Sequence, residues 1–338
     1  MMSARRAAAL AWAAFLSVAA FAGAAMAGWR KAYAFVWPEV SPEKLLRFSA
    51  PTPFQYRVLV PGVARLVWGA PGEPSTFATQ REALARFLRL DALATVAFLV
   101  VAQRWFASLL DDASRPLPRD DRRLAAMLLA GASLWLVPFS YLLVGAGPDV
   151  HRYPYFPWDI PALALFTLAL HLLRAERWAL YYPVFVVATL NRETTCFLPV
   201  MHLLARADSR PPRTLALHAA AQGALWVAIK LCLRAAFSRG AGLHESHLDD
   251  NVFYLSRPEG WAHVLSALGF LWAPAALLGR RVRDPFVRRA LWVMPLWLAG
   301  MLSVGNVYEL RVYGELTPLA LAAWALILRD LLAGRSAA

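Results

Sequence analysis

Apolar residues gather into long runs along this chain, interrupted by short clusters of arginine. A helix that crosses a bilayer takes about 20 mostly apolar residues. Seven runs approach that length, at 7–28, 88–109, 124–146, 215–237, 261–278, 291–307 and 316–332. Three shorter ones, at 160–173, 178–190 and 194–205, are separated by Arg174-Ala175-Glu176-Arg177 and by Asn191-Arg192-Glu193. These read as short or broken helices, which survive at membrane depth only where protein or a water-filled cavity covers their ends. The pattern predicts an all-α protein: one integral membrane domain over residues 1–338, a polytopic bundle of about 8–10 transmembrane or half-membrane helices.

The longest stretch outside the runs is the loop 29–87. Its Pro-rich opening gives way to Pro61-Gly62-Val63-Ala64-Arg65-Leu66-Val67-Trp68, which reads as an amphipathic helix on the membrane surface with Pro61 in its first turn. A second helix is expected after Thr79, whose Thr-x-x-Glu spacing to Glu82 is that of a capping box, and it continues into the second run.

Composition supports a bilayer as the solvent. Of 338 residues, 59% are hydrophobic and only 17% charged, which an ordinary soluble core cannot accommodate, so a soluble enzyme is excluded. The formal charge of +13, from 35 Lys+Arg against 22 Asp+Glu, would alone suggest nucleic acid. The basic clusters, however, alternate with apolar runs, and so they report topology; no nucleic-acid partner is expected. With the N-terminus inside, the inner segments hold 18 arginines, whereas the outer segments after the first loop hold only Arg152, Arg192, Arg239, Arg257 and Arg311. Arg5, Arg6 and Ala25-Met26-Ala27 imitate a signal peptide and its cleavage site, but the apolar stretch between them exceeds the usual length of about 7–15 residues. It is read as a first span, and the loop after it is outside on either reading. Cys196 and Cys232 are too few and too scattered for a disulfide framework or a zinc site, and free thiols are expected.

Polar residues that look selected fall on the outer side in five places. In Gln55-Tyr56-Arg57, the arginine suits a bidentate phosphate contact or snorkelling to headgroups. The stretch 147–159 carries Asp149, His151 and Asp159 among aromatics that suit an interfacial belt or a sugar-stacking surface, with Asp159 also placed to cap the next helix. Asn191-Arg192-Glu193 is the sharpest signal: three polar groups at the tip of a broken helix pair, Asn191 capping the second helix and Glu193 in its first turn. The cluster His244-Glu245-Ser246-His247-Leu248-Asp249-Asp250 suits either a divalent metal or plain solvation, so no cofactor is assigned beyond that one metal reading. In the segment 306–315, Glu309 and Glu315 flank Arg311, as a structural ion-pair network or as an anion site with its base. Nucleotide-binding and hydrolase motifs (P-loop, Rossmann glycines, HExxH, G-x-S-x-G) are absent from the sequence.

A first span, a long outer loop with surface helices, short paired helices around Asn191-Arg192-Glu193 and outer acids and arginines together resemble the GT-C superfamily of polytopic glycosyltransferases. The stretches Pro53-Phe54-Gln55-Tyr56-Arg57-Val58-Leu59-Val60-Pro61, Asn191-Arg192-Glu193-Thr194 and 309–318 are similar to stretches in bacterial membrane proteins of that kind. The resemblance implies a bacterial inner-membrane enzyme with both termini cytoplasmic. Its donor would be a polyprenyl-phosphate-linked sugar, and its acceptor a lipid, glycan or protein at the periplasmic face. Members of the superfamily place a catalytic Asp or Glu in the first outer loop; here no Asp precedes Asp91, and Glu39 and Glu43 lie near the loop's entrance. Glu193, Asp159, Glu43 and Glu309 are therefore the candidate bases, with Arg57, Arg192 and Arg311 to hold the phosphate. Two other readings stand beside it: a transporter or flippase of a lipid-linked glycan, for which inverted repeats are wanting, and a non-catalytic subunit of envelope-polysaccharide assembly.

Overall fold

A computed structural model of the chain describes residues 4–72, 76–111, 117–141, 153–237 and 247–335. The first loop and its flanks comprise α1 (Ala4–Tyr33), α2 (Pro42–Leu46), α3 (Leu59–Trp68) and α4 (Phe77–Leu109). There follow α5 (Arg119–Tyr141), α6 (Asp159–Arg174), α7 (Trp178–Asn191), α8 (Phe197–Arg206) and α9 (Pro212–Ala236). The C-terminal part holds α10 (Leu248–Leu255), α11 (Pro258–Leu265), α12 (Trp272–Leu278), α13 (Pro285–Ala290), α14 (Val293–Val304) and α15 (Thr317–Arg335). Apart from a two-residue parallel ladder joining Ala34 to Tyr153 and Phe35 to Pro154, the described residues are helical or irregular.

Among the described residues, three stretches, Arg6–Ala32, Pro212–Ala236 and Pro285–Val304, are long and apolar enough to cross a membrane. A fourth is formed if Pro258–Leu265 and Ala267–Arg281, bent by 70° from each other, are taken as one. Large apolar side chains such as Phe21, Leu217 and Leu277 point outward, as lipid-facing residues do. The run 261–278, expected as one span, is broken where Leu268, Gly269 and Phe270 take φ of 57°, 58° and 64°, a left-handed conformation that no α-helix continues through. The capping box also differs from the expected one. Thr76 is the N-cap and exchanges hydrogen bonds with Thr79, so Glu82 is left to pair with Arg86 at 2.6 Å. The three short apolar runs fold as α6, α7 and α8, close to their expected limits.

Helix α4 runs unbroken from the loop into the second run and packs against α1, α5 and α6. It buries Phe98, Leu99, Ala102, Trp105 and Phe106 in the main core, together with Leu163, Phe166 and Leu170 of α6. A second core beneath the first loop joins Leu45 and Leu46 of α2, Val60 and Ala64 of α3 and Phe87 of α4 to Phe156 and Trp158. This smaller core clamps the start of α6 against the loop, and it roofs one end of the helices. The segment before α15 is pinned separately. Trp297 donates to the Val312 carbonyl at 2.9 Å, and Asn251 accepts from the Val307 amide at 3.0 Å while donating to the Gly305 carbonyl at 2.6 Å.

The α1–α4 contact depends on one small residue. A Cβ at Gly23 would lie 2.6 Å from the Ala92 carbonyl oxygen, which is backbone and cannot turn aside; small residues are what let membrane helices approach this closely. Gly23→Ala should force the two helices apart and cost about 1–3 kcal/mol, read as a lower unfolding midpoint in detergent, whereas Gly28→Ala, with open space around the new Cβ, should be close to neutral.

Candidate functional site: a buried arginine–carboxylate network

Charged side chains from seven segments converge at the roofed end. Asp159 opens α6, where the expected capping role fails: Trp158 is the N-cap and no side chain caps the helix. The Asp159 carboxylate, with no exposed surface, instead meets three guanidinium groups: Arg311 at 3.2 Å, Arg30 at 3.6 Å and Arg192 at 3.7 Å. Arg30 also pairs with Asp91 at 3.0 Å, both fully buried, and donates to the Phe156 carbonyl at 2.6 Å. Asp91 accepts from the Tyr155 hydroxyl at 2.9 Å. Arg192 reaches Glu315 at 3.2 Å, and Glu315 accepts from Thr194 at 2.9 Å. Arg311 closes the network onto Glu309.

Beside this buried part lies a more open triad. Glu193 bonds to Arg57 at 3.1 Å and to Lys230 of α9 at 3.3 Å, and its side chain keeps 31% of its surface exposed. Its backbone carbonyl accepts from the Trp226 indole at 3.1 Å, which fixes the tip of the broken helix pair to α9. Rings carry the arginines. The Arg57 guanidinium lies 4.8 Å from the Trp158 ring centre and that of Arg311 lies 4.1 Å from Phe156, while Phe54, Phe156 and Trp158 stack on one another. Cations over ring faces gain about 0.5–2 kcal/mol each, most where water is excluded. The aromatics of 153–159 that suited a belt or a sugar platform thus serve, in part, as seats for arginine.

The two carboxylates nearest the broken pair differ in their electrostatics. Burial alone would raise the Glu193 carboxyl, but Arg57 and Lys230, with Arg192 behind them, outweigh it and bring it down to about 2. For Glu315 burial wins, and its carboxyl is raised despite Arg192 and the bond from Thr194. Among the residues of this cluster, five cations (Arg30, Arg57, Arg192, Lys230, Arg311) face five carboxylates (Asp91, Asp159, Glu193, Glu309, Glu315). The part-exposed Glu193 and its two cations, each 15% exposed, lie at one edge of the cluster, which suits an anion that enters by replacing Glu193 on Arg57 and Lys230.

Of the residues singled out by sequence, Asp159, Arg192, Glu193, Arg57, Glu309, Arg311 and Glu315 meet here. Asn191 does not cap α8: it ends α7 and donates to the Trp158 carbonyl at 3.0 Å, because Arg192 is extended and a 3₁₀ turn, Glu193–Cys196, precedes α8. Glu43 is held apart, buried in α2 and paired with Arg47 at 3.0 Å. Gln55 donates to the Phe48 carbonyl at 3.0 Å, and Tyr56 sits half-buried in the same 3₁₀ turn, Phe54–Tyr56. Asp149 and His151 lie outside the described residues, as do His244 and Glu245 of the metal reading. Among the described residues no group of three or more His, Cys, Asp or Glu is placed to hold a metal, and Cys196 and Cys232 are free thiols. Sequence reasoning passed over Arg30, Asp91 and Lys230, and took Tyr155 only as one of the aromatics of 147–159. Asp91 and Lys230 each lie in an apolar run, which was signal enough, since a charge at such depth needs a partner. No protein-family model matches the chain, and neither a curated protein nor a solved structure does.

Removing one partner of a buried pair leaves a charge stranded. Arg30→Met should therefore cost about 3–5 kcal/mol of stability, and adding Asp91→Asn to it should restore much of the loss; unfolding in detergent measures both. Glu193 sets a pH dependence. A carboxyl lower in the folded than the unfolded chain stabilises above its ordinary value, and that contribution disappears as pH falls through the folded value. The unfolding midpoint should drop between pH 4.5 and about 2, with a shallower drop in Glu193→Gln.

Proposed function

We propose that the chain is a polytopic glycosyltransferase of the bacterial inner membrane, in which α6, α7 and α8 act as half-membrane elements and both termini are cytoplasmic. It takes a sugar from a polyprenyl-phosphate carrier at the periplasmic face and gives it to a lipid, glycan or protein. The observation that carries this reading is Glu193, part-exposed, between Arg57 and Lys230 at the edge of an otherwise buried charge network.

The chemistry follows from that placement. The donor phosphate draws Arg57 and Lys230 to itself, for which the arginine fork is suited. Glu193, freed from both cations, regains the basicity that they suppress and accepts the proton of the acceptor hydroxyl. The acceptor oxygen forms its bond to the anomeric carbon as the bond from that carbon to the phosphate oxygen breaks. The electron pair leaves with the lipid phosphate, whose charge the two cations stabilise. Asp159, Arg192, Arg311 and Glu315 keep the tip of the helix pair in place and are positioning residues. Nothing in this scheme needs a nucleotide or a metal.

Transfer from a panel of polyprenyl-phosphate hexoses, followed in membranes at matched expression, tests the reading. Glu193→Gln should lower transfer by about 10²–10⁴-fold, and Arg57→Ala should raise the donor concentration needed. Full activity in both variants would exclude this site. Wild-type protein inert toward every donor, yet moving the intact lipid-linked sugar across vesicles, would make the chain a transporter.

A further inference from the structure

A second arginine cluster occupies the far end of the same helices. Trp12 and Arg30 are both on α1, and a rise of 1.5 Å per residue puts about 27 Å between them, close to the hydrocarbon thickness of about 30 Å. Around Trp12 lies a cavity of about 340 Å³ lined by Gln103, Arg104 and Ala107 of α4 and by Arg119, Arg122 and Arg123 of α5. Two of its four arginines have acidic partners: Arg122 pairs with Asp111 and Arg123 lies 3.9 Å from Asp120. Among the described residues, Arg104 and Arg119 have no carboxylate partner. Arg104 lies instead 5.5 Å from the centre of the Trp12 ring. Gln103 is buried against the same space, and its carboxamide oxygen has no partner among the described residues.

We infer that this cavity is a binding site for the phosphate headgroup of an anionic phospholipid, at the membrane edge opposite the glycosyl-transfer site. The inference does not depend on that activity. Two guanidinium groups with no carboxylate partner among the described residues, beside a tryptophan at the depth where a helix leaves the hydrocarbon, match a phosphodiester at the interface. Basic pockets between membrane helices are sites of this kind. Phosphatidylglycerol carries a net negative charge that phosphatidylcholine lacks, and the guanidinium groups favour it. Exposed leucines deeper along α1 and α5, Leu16 of α1 with Leu124 and Leu128 of α5, offer the acyl chains an apolar surface. A free anion gains nothing from that surface or from the tryptophan, which is why the lipid is the occupant assigned.

Purified full-length protein in detergent, titrated with dioleoyl phosphatidylglycerol, dioleoyl phosphatidylcholine and inorganic phosphate, tests this, with bound lipid counted by native mass spectrometry. Phosphatidylglycerol should bind at least about tenfold more tightly than phosphatidylcholine, and Arg104→Ala with Arg119→Ala should weaken it about 30-fold, at about a factor of five per arginine. The charge-retaining Arg104→Lys with Arg119→Lys should keep most of the preference, and Arg81→Ala with Arg89→Ala, at the other edge, should leave it unchanged. Equal binding of the two lipids, an Arg104/Arg119 alanine pair that binds like the wild type, or an equal loss in the Arg81/Arg89 variant would overturn the site. Displacement of the lipid by millimolar phosphate would replace it with a site for a soluble anion.

Discussion

Asp159 has no exposed surface and faces three guanidinium groups, and the architecture of the roofed end depends on that shared carboxylate. Taking a charge out of water costs several kcal/mol per ion. One contact at about 4 Å returns about 4 kcal/mol at the effective dielectric of a protein near its surface. Each of the three arginines is itself buried and also meets another acceptor, so every charge in the cluster is paired, and removing any one member would strand its partners. Because Arg30 belongs to α1, Arg192 to the tip after α7 and Arg311 to the segment before α15, the shared carboxylate also fixes the register of three distant parts of the chain.

That fixed frame makes the neighbouring triad chemically different from it. Asp159 and Glu315 are fully buried, while Glu193 and its two cations keep part of their surface. An incoming anion can compete for Arg57 and Lys230, and it has no such opening to Arg30 or Arg192. The rigid part holds the groups whose movement would cost stability, and the open part holds the groups whose partners can be exchanged. The seven apolar runs and the arginine asymmetry already implied a protein with two unlike ends. The distance along α1 separates the charge network from the basic cavity by about the thickness of a bilayer core.

The helical character of the chain was legible because runs of about twenty apolar residues admit few structures in lipid, and α6, α7 and α8 lie close to where the interruptions at Arg174–Arg177 and Asn191–Glu193 imply. Stops inside a run were harder to see: the break at Leu268-Gly269-Phe270 has only one glycine to announce it, and its two large neighbours take a left-handed backbone that their side chains do not favour. Most of the network was visible as a set of suspicious charges, since acids and arginines near apolar runs are costly wherever they fall. Their partners were not visible. Arg30 was counted with the first loop, and Asp91 and Lys230 lay inside runs whose apolar neighbours drew the attention.

Sequence by itself determined that the chain is helical and apolar, where its short helices lie and which charges must be accounted for, because solvent and periodicity act on each segment separately. Only the tertiary structure decided that Asp159 serves three arginines rather than its own helix end, that Glu43 stays apart and that Glu193 sits between Arg57 and Lys230. Those pairings join residues more than a hundred positions apart, apart from Glu193 with Lys230 and Asp159 with Arg192, and they follow from how α4 packs against α1 and α6, which no local pattern encodes.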